Sequence, residues 1–134
     1  LRWIKKIKSK YRNAAGGRML VMEQISSFGM VVGETIFNTC IWEGRFVQAW
    51  GGKYSLVYRN SVKAHLCGTS KSKDTDVRRA LIERFGTPGR KKTPGFLYGI
   101  KRDLWSALAI VIYYNDMKTR EKAASDGGTE KTIS

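Results

Sequence analysis

The sequence predicts an α/β fold in which helices flank a central sheet. Short apolar segments with the pattern of β-strands alternate with segments of helical periodicity through the whole chain. Apolar residues make up 42% of the sequence, close to the globular average, so we expect a folded protein. The length of 134 residues is that of one domain and is sufficient to bury a single core.

The first half of the chain predicts the order helix, strand, helix, strand. Residues 1–12 place aromatic and isoleucine side chains at helical spacing between lysines and arginines, which indicates an amphipathic helix with a basic face. Residues 18–24 form an apolar run that ends near a carboxylate, and this pattern predicts a short buried strand. Residues 32–49 return to helical spacing, and β-branched and aromatic residues predict a strand over 54–58.

The second half is predicted to be mostly helical. Residues 61–66 predict a short helix, and residues 74–84 predict a second one that opens on acidic residues and closes before a glycine. Residues 87–95 read as a basic loop, and residues 101–118 as a helix apolar on most sides and therefore buried. The last residues, 119–134, are polar, so we expect a folded domain up to residue 118 and a disordered tail.

The charge balance indicates a polyanionic partner. The chain has 25 lysines and arginines against 11 acids, a formal net charge of +14. A domain this basic is typical of nucleic-acid binding. Charge alone leaves open a ribosomal or architectural protein that only neutralises phosphate.

The remaining composition bears on the compartment. The two cysteines, Cys40 and Cys67, have no metal-binding spacing, and we expect them to be reduced thiols of a cytoplasmic protein. The basic N-terminal stretch lacks the apolar core of a signal peptide. The longest apolar run, residues 104–114, is too short to cross a bilayer, so we expect no membrane partner.

Two acids stand out because acids are scarce. Glu23 ends an apolar strand, where a half-buried carboxylate needs a cation or metal as a partner, although a strand-end glutamate can also face water. Asp103 opens an apolar helix, where it is either a functional acid or an N-terminal helix charge. Carboxylates with lysines between them are typical of metal-dependent phosphodiester cleavage, because magnesium prefers oxygen ligands.

The intervening cations are candidate phosphate ligands. Lys63, Lys71 and Lys73 could offset the charge that builds up in a transition state, or serve as phosphate anchors without a catalytic role. The single histidine, His65, is expected to pack rather than to bind a metal. The tryptophans could stack on unpaired bases, but their spacing favours a structural role for Trp42, Trp50 and Trp105.

Three blocks resemble one family when they are taken together and in order. They are VMEQISSFGMVVGETIFNTCIWEGRF, YRNSVKAHLCGTSKSKDTDVRRALIERFG and PGFLYGIKRDLWSALAIVIYY. Over residues 18–117 the chain resembles the phage branch of the RuvC-type Holliday junction resolvases. The resemblance implies an RNase H-like fold, a mixed sheet flanked by helices. It also implies a homodimer that nicks opposing strands of a four-way DNA junction with magnesium as its cofactor, and no small-molecule cofactor.

The resemblance also assigns site residues. Glu23 matches the strand-end glutamate and Asp103 the first acid of a DxxD motif, and the resemblance therefore implies that both are Mg²⁺ ligands. Lys63 and Lys73 match lysines near the scissile phosphate. A wider set of cations is expected to bind DNA: Lys63, Lys71, Lys73, Arg78, Arg90, Lys91 and Lys92.

The chain departs from the family pattern at two places. Ser106 occupies the position of the last acid of the DxxD motif. The family's opening strand, which carries its first catalytic aspartate, would fall before Leu1. We therefore expect an N-terminally incomplete RNase H-like domain that lacks the first strand or strands and cleaves weakly or not at all.

The leading hypothesis is a crossover junction endodeoxyribonuclease, a magnesium-dependent enzyme that nicks Holliday junctions or related branched DNA. The alternative is a catalytically inactive, basic DNA-binding remnant of such a nuclease, with steep salt dependence and no magnesium requirement. A ribosome-associated RNA-binding protein would fit the charge but would explain neither Glu23 nor Asp103.

Overall fold

The computed structural model describes residues 18–27 and 29–131, which form two compact units divided after Tyr58. The described part is a mixed α/β structure with four helices and two small sheets. The helix expected over residues 1–12 lies outside the described residues.

The first unit contains a β–α–β element. Strand β1 (Leu20–Gln24) is followed by helix α1 (Glu34–Trp50) and strand β2 (Tyr54–Tyr58). The two strands pair in parallel, with Leu20 opposite Tyr54 and Gln24 opposite Tyr58. Parallel neighbours need a crossover connection, and the amphipathic segment predicted from the sequence supplies it as a helix packed on β1. These three elements confirm the predicted order.

The end of α1 is fixed by an indole. Trp50 is buried, and its Nε1–H donates a hydrogen bond to the main-chain oxygen of Lys53 (2.9 Å). Trp50 thus has the expected structural role. Trp42 does not, because 47% of it is exposed and its contacts are the Arg45 guanidinium and the Phe46 ring of the same helix.

The second unit is built from three helices that pack on one another. They are α2 (Arg59–Cys67), α3 (Asp74–Phe85) and α4 (Leu104–Lys131). Its buried apolar residues are drawn from all three helices and from the segment before α4: Val62, Val77, Leu81, Leu97, Trp105 and Ala109.

The segment predicted as a basic loop is instead a small antiparallel hairpin. Strands β3 (Gly89–Arg90) and β4 (Thr93–Pro94) pair across a two-residue turn. Gly89 makes the tight pairing possible: its φ is +75°, and a Cβ there would lie 2.4 Å from the main-chain oxygen of Thr93. The position of Gly89, rather than the strand propensity of its neighbours, is therefore the feature of the sequence that indicates the hairpin.

Helix α4 differs from its prediction at both ends. Residues 101–103 are not helical, with a turn at Arg102 and Asp103, and the helix then continues to Lys131, through residues expected to form a disordered tail. Lysine, glutamate and alanine in this segment favour helix, and Lys118 Nζ pairs with Glu121 Oε2 at 2.9 Å. The expected complete burial is also wrong, because Leu104 and Val111 are each 54% exposed.

Candidate functional site

The structure places Glu23 within β1 of the first unit. It lies opposite Val57 of β2 and is half-buried, as expected for a carboxylate near the end of an apolar strand. The chain just beyond β1 is held by a second acid, because the Ile25 N–H donates to Glu43 Oε1 at 2.8 Å. Glu43 thus links α1 to the segment that follows Glu23.

Asp103 lies at the start of α4 in the second unit. Its main-chain oxygen accepts the first helical hydrogen bond, from the Ala107 N–H at 3.1 Å. The carboxylate is exposed and makes no hydrogen bond or ion pair with any described residue. Ser106, three residues later on the same helical face, is also exposed.

The residue before Asp103 has a strained backbone. Arg102 has φ +47°, the left-handed region that residues with a Cβ rarely adopt. A conformation of this kind costs on the order of 1 kcal/mol or more and persists only where its surroundings impose it. Such strain is concentrated at functional sites, which makes the Arg102–Asp103 junction a distinctive feature of the second unit.

Lys63 is held by an ion-pair cluster. Its Nζ lies 3.6 Å from Asp74 Oδ1, and the Arg59 guanidinium hydrogen-bonds the same oxygen. The hydrogen bond from Arg59, with the nearby charge of Lys63, holds the pKa of Asp74 below its usual value. Asp74 therefore orients two cations instead of merely starting a helix, which the sequence alone did not indicate.

The turn between α2 and α3 presents two further predicted lysines. Lys71 and Lys73 are exposed. The Lys73 N–H donates to Asp76 Oδ2 at 2.9 Å, so Asp76 caps α3 in the role that the sequence predicted. Ser72 is buried between the two lysines and donates from its Oγ to the main-chain oxygen of Thr69 at 2.7 Å, which fixes the turn.

The remaining predicted DNA-binding cations are exposed as well. The Arg78 guanidinium lies over the ring of the buried Trp105, 5.0 Å from its centroid. Arg90, Lys91 and Lys92 are at the tip of the hairpin. These positions leave their charges accessible to phosphate.

Three side chains of the second unit form a cluster that the sequence did not predict, called here the Asp116 cluster. Asp116 Oδ1 and Oδ2 accept hydrogen bonds from Arg84 at 2.8 and 2.6 Å, and His65 Nε2 lies 2.7 Å from Oδ2. Hydrogen bonds from Arg84, and to a lesser extent from His65, hold the pKa of Asp116 well below its usual range. The His65 ring also meets Tyr113 edge to face, which agrees with the packing role expected for it.

This cluster borders an open groove of about 480 Å³, to which Glu83 and Arg120 also contribute. The groove has mixed charge, and both oxygens of Asp116 are occupied by Arg84 and His65. We regard the cluster as a structural link between the helices, because α2, α3 and α4 each contribute one member.

The described donors do not form a complete magnesium site. Among residues 18–27 and 29–131, no group of three or more histidines, cysteines, aspartates or glutamates could hold a metal ion. Glu23 and Asp103 belong to separate units. In the second unit, Asp74 and Asp116 are committed to arginines.

Two further findings concern membrane spans and similarity to known proteins. None of its described helices is both long enough and apolar enough to cross a membrane. No protein-family model, curated protein or solved structure matches the sequence.

Proposed function

We propose that this protein acts on branched DNA as a magnesium-dependent endonuclease of the resolvase type. The observation that carries the proposal is the exposed carboxylate of Asp103, which makes no ion pair with the described residues and lies at the start of α4 directly after the strained Arg102. Asp103 is also the acid that the sequence resemblance assigns to metal binding. The proposal includes an RNase H-like fold, to which the β–α–β element of the first unit would contribute.

Glu23 and Asp103 are the proposed magnesium ligands. Magnesium bound by carboxylates activates water and stabilises a leaving oxygen in phosphodiester cleavage. The described residues of neither unit supply a group of three or more acids, histidines or cysteines that could hold the metal without further ligands.

Lys63 and Lys73 are the residues proposed to contact the scissile phosphate. The ion pair with Asp74 restricts the Lys63 side chain, which is only 16% exposed, and so reduces the entropy lost on contacting phosphate. Flanking phosphates would be bound by the other exposed cations, Lys71, Arg78 and those at the hairpin tip. A net charge of +14 supports strong, salt-dependent binding.

A homodimer is part of the proposal. Helix α1 exposes a strip of large apolar side chains that includes Phe37 and Ile41, which are 61% and 60% exposed and four residues apart. Residues at this spacing share one helical face, and a second copy of the same helix would cover it.

The test uses labelled four-way junctions and matched duplexes, with and without magnesium. We expect the 134-residue chain to prefer the junction and to nick it slowly only when magnesium is present. Glu23→Gln and Asp103→Asn should each lower the nicking rate by roughly 100-fold or more, as losing one charge-stabilising group does. Junction affinity should change by no more than about twofold, because neither acid is proposed to contact phosphate directly.

The control for these variants is Glu83→Gln, which removes an exposed acid of α3 that has no proposed role in cleavage. Nicking that persists at the parental rate in Asp103→Asn would contradict the assignment of this residue. Nicking without magnesium would contradict the proposed class of enzyme.

The second candidate function is DNA binding without cleavage. It is favoured by Ser106, which stands where the resemblance expects an acid and therefore brings no charge to a metal site. Under this alternative, affinity falls steeply with salt but magnesium produces no nicking. Binding without nicking in the assay above would decide for it.

A further inference from the structure

The segment that follows the hairpin exposes an aromatic ring in a fixed position. Phe96 is 69% exposed, more than any other phenylalanine or tyrosine among the exposed apolar residues of the described chain. Its ring stacks on Phe85 at the end of α3, with the centroids 5.1 Å apart and the planes 30° from parallel. The Arg84 guanidinium lies 5.2 Å from the Phe85 ring, which adds a cation to the stack.

The backbone around Phe96 leaves this ring little freedom. Gly95 approaches the preceding chain so closely that a Cβ there would lie 2.3 Å from the main-chain oxygen of Thr87. The Gly95 N–H donates to the oxygen of Pro88 at 2.9 Å, and the Tyr98 N–H donates to the oxygen of Gly95 at 3.1 Å. On the other side, Leu97 is fully buried. Phe96 therefore points outward from a segment anchored at both ends.

Three cations lie on the hairpin that leads into this segment. Arg90, Lys91 and Lys92 are all exposed at its tip. Three residues separate Lys92 from Phe96, so their Cα atoms are at most about 13 Å apart. An exposed aromatic face next to a cationic hairpin tip is complementary to a nucleic-acid strand, whose bases stack and whose phosphates are anionic.

We propose that Phe96 is a stacking platform for an unpaired base of DNA and that the hairpin cations hold the phosphates beside that base. This inference rests on the proposed DNA-binding function and specifies the part of the substrate that is recognised. Both faces of a base inside a duplex are covered by its neighbours, so the platform can accept a base only where stacking is interrupted. Branch points and single strands offer such bases, whereas a continuous duplex does not.

The experiment compares the affinity of the full chain for a short oligo-dT strand and for a blunt duplex, by fluorescence anisotropy. Phe96→Ala should weaken oligo-dT binding roughly tenfold, within the range measured for the loss of one stacked base. Duplex binding should stay within about twofold, because phosphate contacts supply it. Phe96→Trp should retain or improve oligo-dT binding, since tryptophan offers a larger aromatic face.

Two variants separate stacking from other effects. Phe96→Leu keeps an apolar contact with Phe85 but lacks an aromatic face, so it should resemble Phe96→Ala in oligo-dT binding while the thermal unfolding midpoint stays near the wild-type value. Tyr54→Ala removes an exposed aromatic ring from β2, a residue with no proposed role in DNA binding or dimerisation, and should leave oligo-dT binding unchanged.

Oligo-dT and duplex affinities that fall together in Phe96→Ala would overturn the platform, as would wild-type oligo-dT affinity in both Phe96→Ala and Phe96→Leu. A wild-type chain that binds neither oligo-dT nor duplex nor four-way junction would overturn the proposed function and this inference with it. A chain that binds DNA with no dependence on residue 96 would overturn the inference alone.

Discussion

The Asp116 cluster should make a measurable contribution to the stability of the second unit. Asp116→Asn removes the charge that pairs with Arg84 and His65 while keeping the shape of the side chain. The Arg84 side chain is 44% exposed, so its ion pair contributes about 1 kcal/mol at most. The hydrogen bond with the half-buried His65 contributes about 1 kcal/mol. We expect Asp116→Asn to lower the free energy of unfolding by about 2 kcal/mol at neutral pH.

The same cluster predicts a pH dependence. The pKa of Asp116 is lower in the folded protein than its ordinary value of 3.8, so the unfolded state binds a proton more readily as the pH falls. The stabilisation is therefore complete well above 3.8 and is lost as the pH falls from there toward the folded-state pKa. The free-energy difference between wild type and Asp116→Asn should shrink by up to about 1.4 kcal/mol per pH unit in this range.

Urea unfolding followed by circular dichroism, repeated from neutral pH to about pH 3, measures both quantities. The control is Asp126→Asn, which removes an exposed acid from the same helix and should change the free energy of unfolding by less than about 0.5 kcal/mol. A wild-type value for Asp116→Asn at neutral pH would refute the energetic reasoning. A difference that does not vary with pH would refute the assignment of the lowered pKa to this carboxylate.

The remaining predictions concern the hairpin and α1. Gly95→Ala should destabilise the protein by about 1–3 kcal/mol, because its Cβ would overlap the Thr87 oxygen. Gly44→Ala, in the middle of α1 where a Cβ meets no other atom, should instead stabilise it by about 0.5–1 kcal/mol. Equal effects of the two substitutions in urea unfolding would contradict the structure of the hairpin. Phe37→Glu should convert the proposed dimer to a monomer in light scattering, while Asn38→Glu, an exposed position on another face of α1, should not; a wild-type chain that is monomeric would exclude the dimer.

The sequence predicted most regular elements because their periodicity is local. The parallel strands and α1 follow from side-chain spacing, and their boundaries agree with the structure within about two residues. The hairpin was missed because two-residue strands carry no periodic signal, and its pairing depends on the close approach at Gly89. The start of α4 was placed three residues too early because the left-handed residue that precedes the helix is Arg102, and only a glycine at this position would have signalled that conformation.

The roles of the acids were less accessible, since a partner distant in sequence leaves no local pattern. Asp76 caps its own helix, and a rule of local spacing found it. Asp74 pairs with Arg59 across 15 residues, and Asp116 pairs with His65 across 51 residues. Neither partnership is visible in composition or spacing, although cations were abundant enough to make some pairing expected.

Asp103 is distinguished by its position as well as by its accessibility. The chain has 25 lysines and arginines for 11 acids, and Glu34 and Glu83, like Asp103, are exposed acids that make no ion pair with any described residue. Asp74, Asp76 and Asp116 each pair with at least one arginine, yet Asp103 makes no ion pair with the described residues, although Lys101 and Arg102 directly precede it. Its carboxylate is exposed at the start of α4, directly after the left-handed backbone of Arg102. An acid kept accessible under these conditions is the best position in the second unit at which to test for metal binding, and Asp103→Asn is the substitution that tests it.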